Sequence, residues 1–546
     1  MLRALTFRTV LPALIGGFAV AQPLHAQHAE HGGAPAGEKL GTVHFETSCT
    51  ATVAQPFDRA VALLHSFEFR PAIAAFESVL ENDPTCAIAQ WGIAVSYWGN
   101  PFAGVRSTPA LEQGLAAVQK GRATGTPTAR ERGYIDAAAA LFVDHATTAQ
   151  RDRILAYERG MAAVVQQNPG DMEAQIFHAL AVNQTALPTD KTYQAQLAAA
   201  AILEPLFAKY PDHPGLAHYI IHAYDHPPLA ARALDAARSY AAIAPSAPHA
   251  LHMPSHTFTR VGSWQESVDT NRVSEESAVR QGVASEALHA MDYQTYAYLQ
   301  MAQDRNARAV LERLPAVAAK FDATATAGGA APPLAGFYAL AAVPARNALE
   351  RGAWQEAADL AVPSSGTPFT IAIAHFARAL GAARGGSPAA AANDIARLAA
   401  LRDQLQSQDA YWAEQVDIQW RVASAWVAFA TGRKTEGIEG LQAAADIEDA
   451  TDKSAVTPGP LAPARELLGD MLLEAGDAAG ALHAYEASIA KEPRRLRGAY
   501  GAARAAEAAG DAAAARRYYR ATLDIARDAD SPRPELERAR SYLERG

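Results

Sequence analysis

The segment Gly476-Asp477-Ala478-Ala479-Gly480-Ala481-Leu482-His483-Ala484-Tyr485, closed by Pro493, decides how the rest of the chain is read. Thirty-four residues after Gly476, Gly510 opens a second copy, with Ala515 and Tyr519 at the offsets of Ala481 and Tyr485. A glycine turns the chain between two helices, a small residue lets them cross, and an aromatic fills the space beside the crossing. A proline then stops the second helix. The same register is present near the start in Ala72, Phe76, Val79 and Pro84. It is present again where Ala233 and Pro245 precede Gly262 and Trp264, and as a degenerate copy in Gly352-Ala353-Trp354 with Ala357.

This punctuation resembles the tetratricopeptide repeat (TPR), and the resemblance covers most of the chain, with several repeats stretched. It implies an all-α superhelix of stacked helical hairpins, a fold used mainly as a scaffold. Composition agrees. Apolar residues make up 49% of the 546, and alanine, which loses no side-chain entropy in a helix, is abundant. No alternating run of β-branched residues reaches strand length. Gly-, Pro-, Ser- or Thr-rich stretches at Ala323–Leu334, Arg384–Ala391 and Thr451–Pro463 read as loops. Repeats are expected over 45–320 and 337–546, with a loop over 321–336 between them.

The first residues read as an export signal. Arg3 and Arg8 precede an apolar stretch from Val10 to Ala21, and small residues offer cleavage after residue 21 or 26. That stretch is too short to span a bilayer comfortably. Residues 27–44, with His28 and His31, read as a flexible leader, and the mature protein is expected in a periplasm or outside the cell. In such a compartment the only two cysteines, Cys49 and Cys86, are expected to be bridged, with a pair of buried free thiols as the alternative. The net charge of −10, with no long block of either sign, leaves nothing to build the basic stripe of a nucleic-acid partner.

The histidines carry the functional signal. With the register taken from glycine, alanine and proline alone, repeats begin near Pro214, Pro248 and Leu288. Positions 2, 5, 9 and 12 of each first helix then share one face, which lines the concave side of a solenoid. His218, His222 and Asp225 occupy 5, 9 and 12 of one repeat, and His249, His252 and His256 occupy 2, 5 and 9 of the next. His289 and Asp292 occupy 2 and 5 of the third, and His226 lies at the edge of the face. Seven of the seventeen histidines thus fall within 72 residues and point one way.

Two histidines one helical turn apart can bind one ion together, and His218/His222 and His252/His256 make two such pairs. His218, His222, His249, His252, His256, His289 and Asp292 exceed one tetrahedral shell, which implies two ions or one ion with an orienting outer shell. Imidazole and carboxylate without thiolate suit Zn²⁺, Cu²⁺, Ni²⁺ or non-haem iron. With an open coordination position, Asp225 or Asp292 would serve as ligand or general base. Pro254, inside this helical pattern, either re-aims His256 or marks a helix start. His65 could face the same interior, and Arg346, on a groove position, could hold an anion or form a structural ion pair. Trp91, Trp98 and Trp264 read as core.

The stretch from His218-Tyr219-Ile220-Ile221-His222 to His289-Ala290-Met291-Asp292-Tyr293 resembles a group of exported bacterial repeat proteins, a resemblance that supplies no reaction. No phosphate-binding glycine loop, nucleophile elbow or activated serine or cysteine is present. The competing readings are a metal-binding envelope protein, a hydrolase or an oxidoreductase if it is an enzyme, and a metal-free scaffold whose groove binds a peptide or protein partner. A third is a solenoid that binds a small molecule through Arg346 and aromatic side chains.

Overall fold

A computed structural model describes residues 37–126, 128–324 and 330–545; the expected export signal and most of the expected leader lie outside the described residues. The fold is an all-α, TPR-type solenoid of helical hairpins, with no strand among the described residues. It runs from Ala54–His65 and Phe69–Asn82 to Leu496–Ala508 and Ala512–Ile525, and Pro534–Glu544 covers the last pair.

Local chemistry sets the punctuation. Proline occupies the first turn of the helices starting at Pro214, Pro248, Pro254, Pro333 and Pro368, where its missing N–H would have had no partner. Asp477 and Asp511 cap the second helices of the two C-terminal repeats, accepting from the backbone of Gly480 and Ala514. Tyr485 packs where a side chain on Gly469 or Gly501 would collide with it, which is why those positions are glycine. Trp91, Trp98 and Trp264 are buried as expected.

The superhelix is wound tightly enough for distant repeats to touch. The helix Ala54–His65 lies against Pro214–Ala223. The Trp264 indole donates to the carbonyl of Arg494 at 2.7 Å. Arg495 bridges Glu466, Glu350 and the Tyr296 hydroxyl from a fully buried position. Gly262, at φ +72°, brings its backbone against Arg494, where a β-carbon would stand 2.7 Å from the nearest atom. Residues 38–44, at the end of the expected leader, run along the repeats: Lys39 pairs with Ser246, and Thr42 donates to the carbonyl of Asp212. Of the expected loops, Thr451–Pro463 has no helix and forms a strap across the interior.

Cys49 and Cys86 form a disulfide, with Cα atoms 4.9 Å apart, so the free-thiol alternative is set aside. It ties the segment ahead of the first hairpin to the residues that start the helix Ile88–Trp98. Closing a loop of this size restricts the unfolded chain by about 3–4 kcal/mol. The Cys49→Ala/Cys86→Ala variant is therefore expected to unfold with that much less stability in denaturant titrations, its helicity unchanged in the folded state.

Candidate metal centre

Four helical segments bring the histidines together. Pro214–Ala223 carries His218 and His222, Pro248–His252 carries His249 and His252, Pro254–Val261 carries His256, and Ala284–Gln300 carries His289. The third repeat begins at Ala284, about one turn before the expected Leu288. Pro254 restarts the helix as Pro254–Val261, and the backbone N–H of His256 bonds Met253 rather than His252. The proline thus both marks a helix start and resets the turn that carries His256.

Six imidazoles sort into two triads, His218/His222/His249 and His252/His256/His289, each with ligand atoms within 4.8 Å of one another. The expected pairs hold together, but His249 leaves the triad of its helix mate His252 and joins His218 and His222. The triads adjoin: the ring centres of His249 and His252 are 6.0 Å apart, and those of His222 and His256 6.3 Å.

The proton positions follow from the outer partners. His252 Nδ1 donates to the Asn271 side-chain oxygen at 2.6 Å; the Asn271 amide nitrogen donates to Ser267, which fixes that orientation. His256 Nδ1 donates to Asp225 at 2.8 Å. Both Nε2 atoms are left as lone pairs, yet they face each other at 3.1 Å. In the other triad, His218 Nδ1 donates to the carbonyl of His65 at 2.6 Å and His249 Nδ1 faces Glu286 at 3.8 Å. Their Nε2 atoms are again 3.1 Å apart. His222 Nε2, His249 Nδ1 and His289 Nδ1 are buried with no hydrogen-bond partner. Opposed lone pairs repel, whereas one cation with bonds of about 2.0–2.1 Å to each nitrogen accommodates the spacing.

Protonation cannot relieve the repulsion near neutral pH. Burial first, and then neighbouring imidazoles, holds His218, His222, His252 and His289 well below the usual histidine range. Burial lowers His256 as well, to about 4, against the upward pull of Asp225. These five rings are neutral near pH 7, the form that ligates metal.

The site is enclosed rather than an open groove. Phe67 packs edge-on to His218 with centroids 4.3 Å apart, and Phe102 stacks on His222 at 4.4 Å. Ala330, Ala331 and the strap residues Ala455 and Val456 close the remaining side. The cavity left there is about 20 Å³, room for about one water. An extended peptide cannot lie on this face.

The carboxylates expected as ligands or bases are placed elsewhere. Asp292 is outside both triads and is gripped by Arg346 at 2.7 Å, both side chains fully buried. Arg346 spends its other donors on Thr457, Gly459 and Pro460 of the strap, so it is the structural ion pair and not an anion receptor. Asp225 accepts from His256, Arg260 and Lys453, which makes it an orienting partner with no free base position. His226 stands at the edge, bonded to Asp452 of the strap at 2.9 Å.

His65 is not in either triad. Its carbonyl fixes His218, while its ring joins Glu173 and His213 in a separate buried cluster, with Glu173 accepting at 2.8 and 3.0 Å. Gly215 permits this approach, since a β-carbon there would stand 2.4 Å from His65 Nδ1. A larger cavity of about 710 Å³ adjoins Glu173 and His213 on the side away from the triads.

Asn271, Glu286, Phe67, Phe102 and Lys453 belong to the site but were not among the residues read from sequence. Asn271 lies on the second helix of its repeat, Glu286 lies one turn ahead of His289 on the same helix and before the expected repeat start, and the others come from repeats or loops far along the chain. A rule applied to the face of each first helix does not reach them. The only local signal is a polar residue, such as Asn271, where burial is expected.

No family model and no curated protein matches the chain. Among solved structures, a human IFIT1 dimer with m7Gppp-AAAA is similar at 11% identity and a TM-score of 0.38, over 81% of this chain and 90% of that one. The P58(IPK) TPR domain is similar at 11% identity and a TM-score of 0.20, over 91% and 99%.

Glu173 gives a test of the packing beneath the site. Burial alone would raise its carboxyl, but His65 and His213 more than offset this and hold it at about 2. Its contribution is complete above about pH 4.5 and is lost as pH falls towards about 2. Glu173→Gln is expected to cost about 1–3 kcal/mol at pH 7, because it replaces a charged acceptor shared by two buried imidazoles with an amide that leaves one of them poorly paired. It should also flatten the acid dependence in that window, as read by urea titrations over a pH series.

Proposed function

We propose that the chain is an exported solenoid that holds two transition-metal ions, one in each histidine triad, and uses them as a catalytic centre on a small molecule. The observation that carries this reading is the pair of Nε2 atoms of His252 and His256, 3.1 Å apart with both protons placed on the far side of the rings by Asn271 and Asp225, beside a second triad of three buried imidazoles. Such an arrangement is stable with a cation and repulsive without one.

Three imidazoles per ion leave a coordination position open, as catalytic metal sites do and closed structural sites do not. The outer partners Asn271, Asp225, Glu286 and the His65 carbonyl orient the rings, as metal-bound histidines require. Zinc or copper suits the all-nitrogen set better than iron held by two histidines and a carboxylate. The apolar start with its small-residue cleavage points supports export, and the Cys49–Cys86 bridge suits an oxidising compartment. A metal-free scaffold that binds a peptide or protein partner is the alternative; it would use surfaces other than the histidine face.

Elemental analysis of the full chain, purified without an affinity tag, tests the proposal. About two equivalents of transition metal are expected in the wild type, one for each triad. The His218→Ala/His222→Ala/His252→Ala/His256→Ala variant should lose both while keeping its helicity. A wild type that arrives free of metal and takes up neither zinc nor copper tightly would overturn it.

A further inference from the structure

We infer that the two ions are copper and that the small molecule they take is dioxygen, bound between the triads; this rests on the two-ion reading above. Three observations lead there.

The first is what lines the cavity between the triads. It touches His222 and His249 of one triad and His256 and His289 of the other. Its remaining walls come from Phe102, Met253, Val456, alanines, Pro332 and Asn100. Both ends of the Asn100 amide are spent, one on the carbonyl of Ala330 and one on the backbone of Phe102. No carboxylate, lysine or arginine lines the cavity among the described residues. Hydrolysis by a metal-bound water calls for a base and for groups that orient a polar substrate. Neither is provided, so a ligand here is held by the ions alone.

Size is the second. A space of about 20 Å³ takes a molecule of about the size of water, and its apolar walls favour an uncharged one. A diatomic gas satisfies both conditions.

The third is charge. Imidazole is a neutral donor, and the carboxylates stand behind the rings: Asp225 is held by Arg260, Asp292 by Arg346, and Glu286 accepts from the backbone of Ala331. A buried all-imidazole shell adds no negative charge to its ion, which favours the monovalent state over a hard divalent one. Met253, a soft thioether at the cavity wall, acts in the same direction. Copper is the imidazole-binding metal with a stable monovalent state, and it heads the divalent affinity order once oxidised.

The electron count closes without a further reactant. Each Cu(I) gives up one electron, dioxygen takes both, and the product is one doubly reduced dioxygen ligand between two Cu(II) ions. Reversal returns the gas and two Cu(I). No proton moves and no bond to protein forms or breaks.

The test uses the full chain, stripped by chelator, loaded with Cu(I) without air and then exposed to dioxygen. Uptake of one dioxygen per pair of coppers is expected, with a new near-ultraviolet absorption. Less than a tenth of the copper should show a Cu(II) paramagnetic resonance signal, because paired ions couple their spins. Ala335→Leu, which fills the cavity from Pro333–Leu349, should retain both coppers and lose the uptake. Full paramagnetic signal from isolated Cu(II), no uptake, or tight retention of zinc against excess copper would each overturn the copper–dioxygen inference and leave the two-ion centre standing. A chain that binds no metal at all would remove both.

Discussion

Six imidazoles withdrawn from water, with lone pairs turned towards one another, form the interaction on which the rest of the structure depends. Neutral histidines in a helical repeat ordinarily find a hydroxyl, a carbonyl or water. Here the outward nitrogens of four of them face acceptors fixed in place: a carbonyl, an amide oxygen and two carboxylates. The inward nitrogens of His252 and His256 face each other at 3.1 Å, with the Tyr293 hydroxyl 3.3 Å from His256 Nε2. Such a core has no favourable apolar transfer energy to offer, so the surrounding packing must hold the rings in place.

That packing comes from the whole length of the chain. Phe67 and Phe102 from the first repeats press on the rings of one triad, and Tyr293 from the third histidine-bearing repeat packs against His252, His256 and His289. The strap at Thr451–Pro463 is fastened to Arg346, Tyr293, His226 and Tyr411. Its Lys453 reaches Asp225, which holds His256. A solenoid with an open concave face could not do this. Tight winding turns a groove into an interior, and that change converts a binding surface into a site suited to small ligands.

The bridge at Cys49 and Cys86 tethers the end of the superhelix that contributes Phe67, Glu68 and His65 to the centre. Burial raises the Glu68 carboxyl to about 8, with Glu286 adding to the effect, so near neutral pH this acid beside the His249 backbone is mostly protonated. Buried ion pairs such as Asp292–Arg346 and Arg495–Glu466 contribute little net stability against well-packed apolar groups. Their use here is to fix the strap and the distant repeats in one arrangement.

The sequence alone determined the hairpin repeat, because glycine, alanine, aromatic and proline positions act locally and recur at a fixed period. It also determined which face of each helix carries His218, His222, His249, His252, His256 and His289, since the helical period is a property of the backbone. What it left open was how the imidazoles divide. His249 and His252 share a short helix and part company, a consequence of how neighbouring helices cross. Only the tertiary structure decided that Asp225 and Asp292 stand behind the site, that Arg346 holds a strap, and that His65 serves through its carbonyl. These roles depend on partners tens to hundreds of residues away, brought close by the winding of the superhelix, and no local periodicity encodes them.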